Sequence, residues 1–383
     1  MTQILLVPNA LKGSLTAEQA AAAMTSGVLA ACPDCTVVAR PIADGGDGFA
    51  SILSNGAGIE TVSVDVHDPL GRPIEAKFSY EAAESTAIID VASACGLALL
   101  DENEFNPLTT SSYGVGELIS QVLDLNVERL IIGIGGSAAN DAGRGMAAAL
   151  GARFLDMAGE EIPVPTGQDL GRISRIDMSD FDGRLAKVSV EALCDVDNPL
   201  LGPDGAAHVF APQKGASQAD VERLEKGMQH FVTLLSLDLG FKPGERPGMG
   251  AGGGLGAGLA AFLHATLRKG IELVVEYLQL DHEMAAADLV ITTEGRLDSQ
   301  TMLHGKAPAG IAEGARNARV PCIAIAGEVE YSDAMTGSNG FSAVFSLCPG
   351  PVDRKTAMQN ASAYLETTTR QVVQCFLLGI THK

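Results

Sequence analysis

Apolar residues along this chain fall into short, nearly continuous runs separated by polar, glycine-rich stretches. The run in "QILLVPNA", residues 3–10, is too short for a helix and reads as a buried strand. Thr16 and Gln19 then carry the spacing of a capping box. They open "AEQAAAAMTSGVLAAC", a stretch of good helix formers. "CTVVARPI" predicts a second strand. "IETVSVDVHDP" predicts a third, leading into "DPLGRPIEAKFSYE", where a turn and strict alternation predict a hairpin. That change of style places a domain boundary near His67.

Further on, "GVGELISQVLDL" predicts a helix, and "ERLIIGI" and "KVSVEALC" predict strands. "DVERLEKGMQHFVTLL" has the 3.6-residue apolar spacing of an amphipathic helix. "GERPGMGAGGGLGAGLAAFL" is glycine-rich and runs into another helix. "ADLVITTEGRLD", "VPCIAIAGEV" and "FSAVFSLC" return to strands, with helices between them and one at the end. No fixed-period repeat is present. Strands alternating with helices predict an α/β fold with mostly parallel sheets. The first two and last three strands share one style, which suggests a domain built from both chain ends with the middle inserted.

Composition narrows the function. The 383 residues fit two ordinary domains, and 46% apolar residues can bury a sizeable core. A net charge of −21 repels nucleic acid and anionic membranes. With no Trp and 4% aromatic residues, a base-stacking platform is not expected. The start of the chain lacks a signal-peptide pattern, and no apolar run approaches the ~20 residues of a membrane span. Seven scattered Cys fit a reduced, cytoplasmic protein. Cys32 and Cys35 form a lone C-x-x-C beside Pro33, read as a chance pair and a poor metal site.

Candidate chemistry recurs just past predicted strand ends. "PNALKGS", "ADGGDG", "GGSAAND", "DVDNP" and "EGRLDSQT" each follow an apolar run. One such loop is an ordinary β–α turn; five mark the carboxyl edge where α/β sheets bind ligands. Lys12, Lys214, Arg296 and Lys306 can supply a local positive field there. Asp44, Asp47, Asp141, Asp195, Asp197, Glu294 and Asp298 can hold Mg²⁺ or take a proton. No Walker-type loop and no G-x-S-x-G occur, and the seven His show no H-x-x-x-H spacing. Gly133, Gly135 and Ala138 fit G-x-G-x-x-A, with Asp156 ending a possible next strand. That pattern keeps a nicotinamide-dependent dehydrogenase open as an alternative. A non-catalytic nucleotide-binding regulator is a third.

Taken together, "PNALKGSL", "PIADGGDG", "GIGGSAANDAGRGM", "CDVDNPLLGPDGAAHVFAPQKGAS" and "DLVITTEGRLDSQTMLHGK" resemble the bacterial glycerate kinase family. The motifs span residues 4 to 330 without a large insertion or a missing motif. The second Ala of "SAAND" stands where many relatives carry Thr, and "DAGRG" replaces a commoner "DGGAG". The resemblance implies ATP- and Mg²⁺-dependent phosphorylation of D-glycerate to 2-phosphoglycerate by a monomer or homo-oligomer. It also implies two α/β domains with the active site in the cleft between them. These are a discontinuous Rossmann- or flavodoxin-like domain, 1–68 with 284–383, and an inserted α/β domain, 69–283, with the glycine-rich loops.

Phosphoryl transfer asks for positioning and charge neutralisation, and the residues divide accordingly. Gly135, Gly136 and Ser137 are expected to cradle phosphates at a helix start. Asn140 would lie one turn in, and Lys214 is expected on the nucleotide side. Lys306 would neutralise transferred charge. Arg296 or Lys12 would anchor the glycerate carboxylate, with Asp298 beside them. Asp195 or Asp44 would act as base. Asp141, Asp197 and Glu294 are the expected metal ligands.

Overall fold

The computed structural model describes residues 2–11, 13–42, 58–163, 166–298, 307–332, 335–336 and 340–381. The chain divides into two compact units. A terminal unit comprises Met1–Asp44 with Lys269–Lys383, and an inserted unit comprises Gly45–Arg268.

The terminal unit is built on a parallel five-stranded sheet. Its strands are β1 (Gln3–Pro8), β2 (Thr36–Ala39), β11 (Leu289–Leu297), β12 (Cys322–Val329) and β13 (Ala343–Ser346), in the order β13-β12-β11-β1-β2. Ile4, Leu6, Leu289, Ile291 and Ile325 form its core with Met24, Val28, Leu365 and Val373 from helices. Helix α1 (Ala17–Ala31) opens with the expected capping box, Thr16 accepting from the Gln19 amide and Gln19 from that of Thr16. The disulfide between Cys32 and Cys35 corrects the chance-pair reading. The Cys35 amide donates to the Cys32 carbonyl after α1 ends, so a tight turn brings the two Cα atoms to 5.4 Å.

The inserted unit carries a mixed six-stranded sheet in the order β10-β9-β6-β5-β4-β3. The expected hairpin is β3 (Ile59–His67) against β4 (Pro73–Glu81), antiparallel over their whole length. β5 (Thr86–Asp90) pairs antiparallel with β4. β6 (Arg129–Gly133), β9 (Ser189–Leu193) and β10 (Thr266–Arg268) then continue it in parallel. Strand β3 thus belongs to this sheet, although the expected boundary at 68 left it with the chain start. The helix Gly270–Tyr277, expected in the insert, belongs to the terminal unit, where Ile271 packs on Gly310.

Three further helices of the inserted unit bear on function: α2 (Tyr113–Leu123), α3 (Arg144–Ala149) and α4 (Gln218–Asp238). The dinucleotide layout is not realised. β7 (Arg153–Leu155) joins β8 (Arg175–Asp177), antiparallel, in a separate two-stranded sheet. Asp156 therefore does not end the next strand of the main sheet, where the parallel neighbour that follows β6 is β9.

Among the described residues, no helix is long and apolar enough to cross a membrane.

Packing in the terminal unit yields a first prediction. Gly27 of α1 lies against the chain's last helix, and an added Cβ would sit 2.4 Å from the Glu366 carbonyl oxygen. Helix propensity favours Ala by about 1 kcal/mol, but forcing backbone apart costs about 1–3 kcal/mol. Gly27→Ala should therefore lower the midpoint of thermal unfolding; an unchanged or higher midpoint would show that the helices separate freely.

Candidate active site

The parallel strands of the inserted unit set its geometry. Register pairs Gly133 of β6 with Leu193 of β9, so the Gly135–Gly136 turn and Asp195 leave neighbouring strands side by side. Gly136 has φ +71°, a left-handed conformation that favours glycine. The turn is fixed from below, since the Leu97 amide donates to the Gly136 carbonyl (2.9 Å) and the Ala138 amide to the Cys95 carbonyl (2.7 Å). The amides of Gly135 and Gly136 find no acceptor among the described residues. Ser137 is 4% exposed, and its hydroxyl is used inside the loop, accepting from the Ala139 amide.

The expected helix start at 135–137 is corrected. Helix α3 begins only at Arg144, and Asn140 and Asp141 precede it. The cause is Asp141, 1% exposed, whose carboxylate gathers the surrounding donors. Oδ1 accepts from the Gly143 amide (3.1 Å), and Oδ2 from the amides of Ser112 (2.8 Å) and Gly145 (3.2 Å). The Ser112 hydroxyl lies within 3.1 Å of both oxygens and accepts from the Met146 amide. Burial pushes the Asp141 pKa up, opposed by these donors, chiefly Ser112. Asp141, expected from sequence among the metal ligands, thus has both oxygens met by protein donors that anchor the loop.

Lys214 and Asn140 come together beneath this loop. Lys214 is 2% exposed and donates from Nζ to the Ala139 carbonyl at 2.6 Å. Burial pushes its ammonium down to about 8, with Cys95 and Asp141 opposing. Asn140 is fully buried, and neither its Nδ2 nor its Oδ1 has a hydrogen-bond partner among the described residues. Such a group is costly unless something polar reaches it. Gly252, Gly253 and Gly254 run over it with φ of 62°, 75° and 86°. An added Cβ on Gly253 would meet the Ala139 carbonyl oxygen at 2.2 Å and Asn140 Oδ1 at 2.5 Å.

Asp195 is half-buried and Asp197 exposed. In the terminal unit, Glu294 is 7% exposed; Oε2 accepts from Asn9 Nδ2 (3.0 Å) and Oε1 from the Gly295 amide. Arg296 donates to Glu330 at 3.1 Å and lies within 3.8 Å of Asp298 and Glu328. Glu330 foremost raises its pKa. Three carboxylates therefore stand around the guanidinium that sequence placed as an anchor for the substrate carboxylate. Lys12, Asp44 and Lys306 lie outside the described residues. No group of three metal-binding side chains occurs among the described residues.

The model of the Glycerate kinase family matches residues 4–377. The chain belongs to that family. It is 43% identical over 382 residues to the glycerate kinase of Bacillus subtilis (strain 168), covering 99% of both chains. It is 38% identical over 378 residues to the glycerate 2-kinase of Escherichia coli (strain K12), again covering 99% of each. A crystal structure described as glycerate kinase 2 from Salmonella typhimurium LT2 superposes with a TM-score of 0.87 at 40% identity, covering 99% of both chains. The glycerate kinase family makes this protein a kinase, and the α/β fold with mostly parallel sheets agrees with its structural neighbour.

Sequence reasoning missed Ser112 and Asn9. Ser112 sits in "TTSSYG", and that run of hydroxyls before a predicted helix was the available signal. Arg144, noted above only as a departure from relatives, is fully buried. Its guanidinium donates to the carbonyls of Ile162 and Thr166 and lies 5.3 Å from the Phe154 ring centroid. Burial lowers its pKa to about 10.

Two predictions follow from the buried charges. Asp141→Asn removes one acceptor oxygen and leaves a buried amide unpaired, at about 1–3 kcal/mol. The unfolding midpoint should fall while the Mg²⁺ concentration for half-maximal activity stays fixed; a shifted Mg²⁺ optimum at unchanged stability would restore the metal role. For Lys214, the folded pKa is depressed to about 8, so between pH ~8 and ~10.4 the unfolded chain binds the extra proton and stability rises with pH. Below that window the burial cost is fully present, amounting to about 3 kcal/mol. The stability of Lys214→Met relative to the parent should therefore be most favourable near pH 7 and decline toward pH 10, as read by unfolding at each pH. A pH-independent difference would contradict this.

Proposed function

We propose that this protein transfers the γ-phosphoryl group of ATP to D-glycerate and releases 2-phosphoglycerate. The observation that carries the reading is two amides and a carboxylate at one sheet edge: Gly135 and Gly136, whose amides meet no acceptor among the described residues, follow the end of β6, and Asp195 follows the end of its neighbour β9. Family membership and the relative named glycerate 2-kinase support the substrate and the position phosphorylated.

In this arrangement the Gly135 and Gly136 amides hold phosphoryl oxygens in line with the acceptor, work done by positioning and fixed dipoles. Asp195 orients the acceptor hydroxyl and accepts its proton as the new O–P bond forms. Lys214 keeps the 139–141 loop in place through the Ala139 carbonyl and lends positive field from below. The buried, unpartnered Asn140 amide fits a loop that meets a polar ligand. Mg²⁺ arriving with ATP would need only one or two protein carboxylates, of which Asp197 can provide one. When bound, it neutralises charge on the phosphoryl oxygens.

The direct test couples ADP formation to an optical readout with D- or L-glycerate, ATP and Mg²⁺, and identifies the product by phosphorus NMR. ATP consumption with D-glycerate and a 2-phosphoglycerate signal is the expected result. A 3-phosphoglycerate signal would overturn the regiochemistry, and ATP binding without turnover would favour a regulator. Asp195→Asn cannot accept the proton and should lower kcat by about 10²–10⁴ with little change in ATP affinity. Near-normal turnover at every Mg²⁺ concentration would remove Asp195 from both the base and the metal roles.

A further inference from the structure

The carboxyl edge of the inserted sheet carries a second acid that the reaction chemistry above leaves unused. Asp90 ends β5, the other neighbour of β6. Register aligns it with Gly133, which aligns in turn with Leu193 of β9. Residues paired in this way share a face of the sheet. Ile89, Ile132 and Ala192, one position earlier on each strand, point into the core, so Asp90 and Gly133 point to the opposite face. The Asp90 carboxylate leans over Gly133, where an added Cβ would lie 2.6 Å from Asp90 Oδ1. A side chain at 133 would therefore push that carboxylate away from the end of β6.

Backbone around Asp90 is held on both sides. The Ser93 hydroxyl donates to the Asp90 carbonyl at 2.7 Å, and the Val91 amide donates to the Gly133 carbonyl at 2.9 Å. The segment that follows goes on to hold the glycine turn, through the bond from the Leu97 amide to the Gly136 carbonyl. Half-buried Asp90 thus stands at a set position beside the turn, and β9, which leads to Asp195, lies on the other side of β6.

A carboxylate is an acceptor with about four lone-pair sites, so Asp90 can take a donor from a substrate while keeping its partners in the protein. It repels phosphoryl oxygens and the substrate's own carboxylate. Glycerate offers two donors, its neighbouring hydroxyls, and in the reaction above Asp195 takes the one at carbon 2. Strands β5 and β9, separated by β6, lie about 9–10 Å apart. Two O–H···O bonds of about 2.7 Å, with roughly 3 Å between neighbouring hydroxyls, come close to that span.

We propose that Asp90 is the specificity-determining acceptor for the 3-hydroxyl of glycerate, selecting a vicinal dihydroxy acid over a monohydroxy acid. The inference rests on the kinase reading above, in which the 2-hydroxyl reacts. Discrimination of this kind comes from a polar group that the wrong substrate leaves unmet. Gly133 keeps the space in which the carboxylate and the hydroxyl meet.

The test compares D-glycerate with D-lactate, which keeps the carboxylate and the 2-hydroxyl but lacks the 3-hydroxyl. With the full chain, ATP and Mg²⁺, KM for D-glycerate is set against the apparent affinity of D-lactate, read from its turnover or from its inhibition of D-glycerate turnover. The parent should hold D-lactate at least about tenfold more weakly. Asp90→Asn keeps the shape and loses the charge. It should narrow that gap by about 5–10-fold, by raising KM for D-glycerate, with the unfolding midpoint and the Mg²⁺ dependence unchanged. Gly133→Ala, whose methyl displaces the carboxylate, should narrow the gap in the same direction, and it decides together with the parent comparison should Asp90→Asn fail to fold. A parent that holds the two acids equally would overturn the inference before any variant is made. Equal losses on both acids in Asp90→Asn, or a shifted Mg²⁺ dependence, would overturn it in favour of a structural or metal-binding Asp90 and leave the kinase reading standing. No ATP consumption with D-glycerate by the parent, or a 3-phosphoglycerate product, would overturn both.

Discussion

Three backbone amides and a hydroxyl converge on the carboxylate of Asp141. The loop after β6 depends on that convergence. A buried carboxylate is costly unless its oxygens are satisfied, and here the donors come from the start of α2, from the turn before α3 and from α3's first residues. Satisfying Asp141 therefore ties two helices to one loop. It also holds back the start of α3, which frees residues 135–140 to run as an irregular segment across the sheet edge. A helix starting at Gly135 would also have left those amides unpaired, but pointing along its axis. In the irregular segment the Gly135 and Gly136 amides meet no acceptor among the described residues, past the end of the strand that neighbours the one before Asp195.

The glycines complete this arrangement by letting backbone approach backbone. Gly253 rests on Ala139 and Asn140 so closely that any side chain would strike a carbonyl oxygen. Its neighbours Gly252 and Gly254 share the left-handed conformation. One glycine-rich segment therefore packs on another, and neither is shaped by its own sequence alone. The cost in chain entropy falls where two backbone segments must touch.

Much of this was legible in the sequence because it was written in local signals. Short apolar runs marked the strands, Thr16 and Gln19 marked the start of α1, and alternation after His67 marked the β3–β4 hairpin. The family resemblance rested on long motifs and supplied the reaction. What could not be read was non-local. Asp141 and Asp195 look alike in sequence, yet one carboxylate is met by Ser112 from 29 positions away as well as by the local Gly143 and Gly145 amides, and the other follows a strand end. Lys214 reads as a loop cation until its burial is seen. Arg296 reads as an anion anchor until Glu328 and Glu330, from the adjacent strand and its exit, come alongside. Likewise, nothing local shows that β7 joins β8 instead of the main sheet. The residues Lys12, Asp44 and Lys306 were singled out with the same local logic, and they lie outside the described residues.

These contrasts bear on how a chain of net charge −21 handles anionic substrates. A surface cation in such a protein is soon surrounded by carboxylates, and Arg296 illustrates the outcome: its field is spent on its neighbours. Lys214 escapes by burial. Its hydrogen-bond acceptor is a neutral carbonyl, so its charge is not cancelled at contact distance. In a low-dielectric setting that field reaches further than it would in water. The same burial weakens the hold on the proton, and an anion brought near the loop would strengthen it again. A positive field under the 139–141 loop and conditional protonation are thus two consequences of one buried lysine.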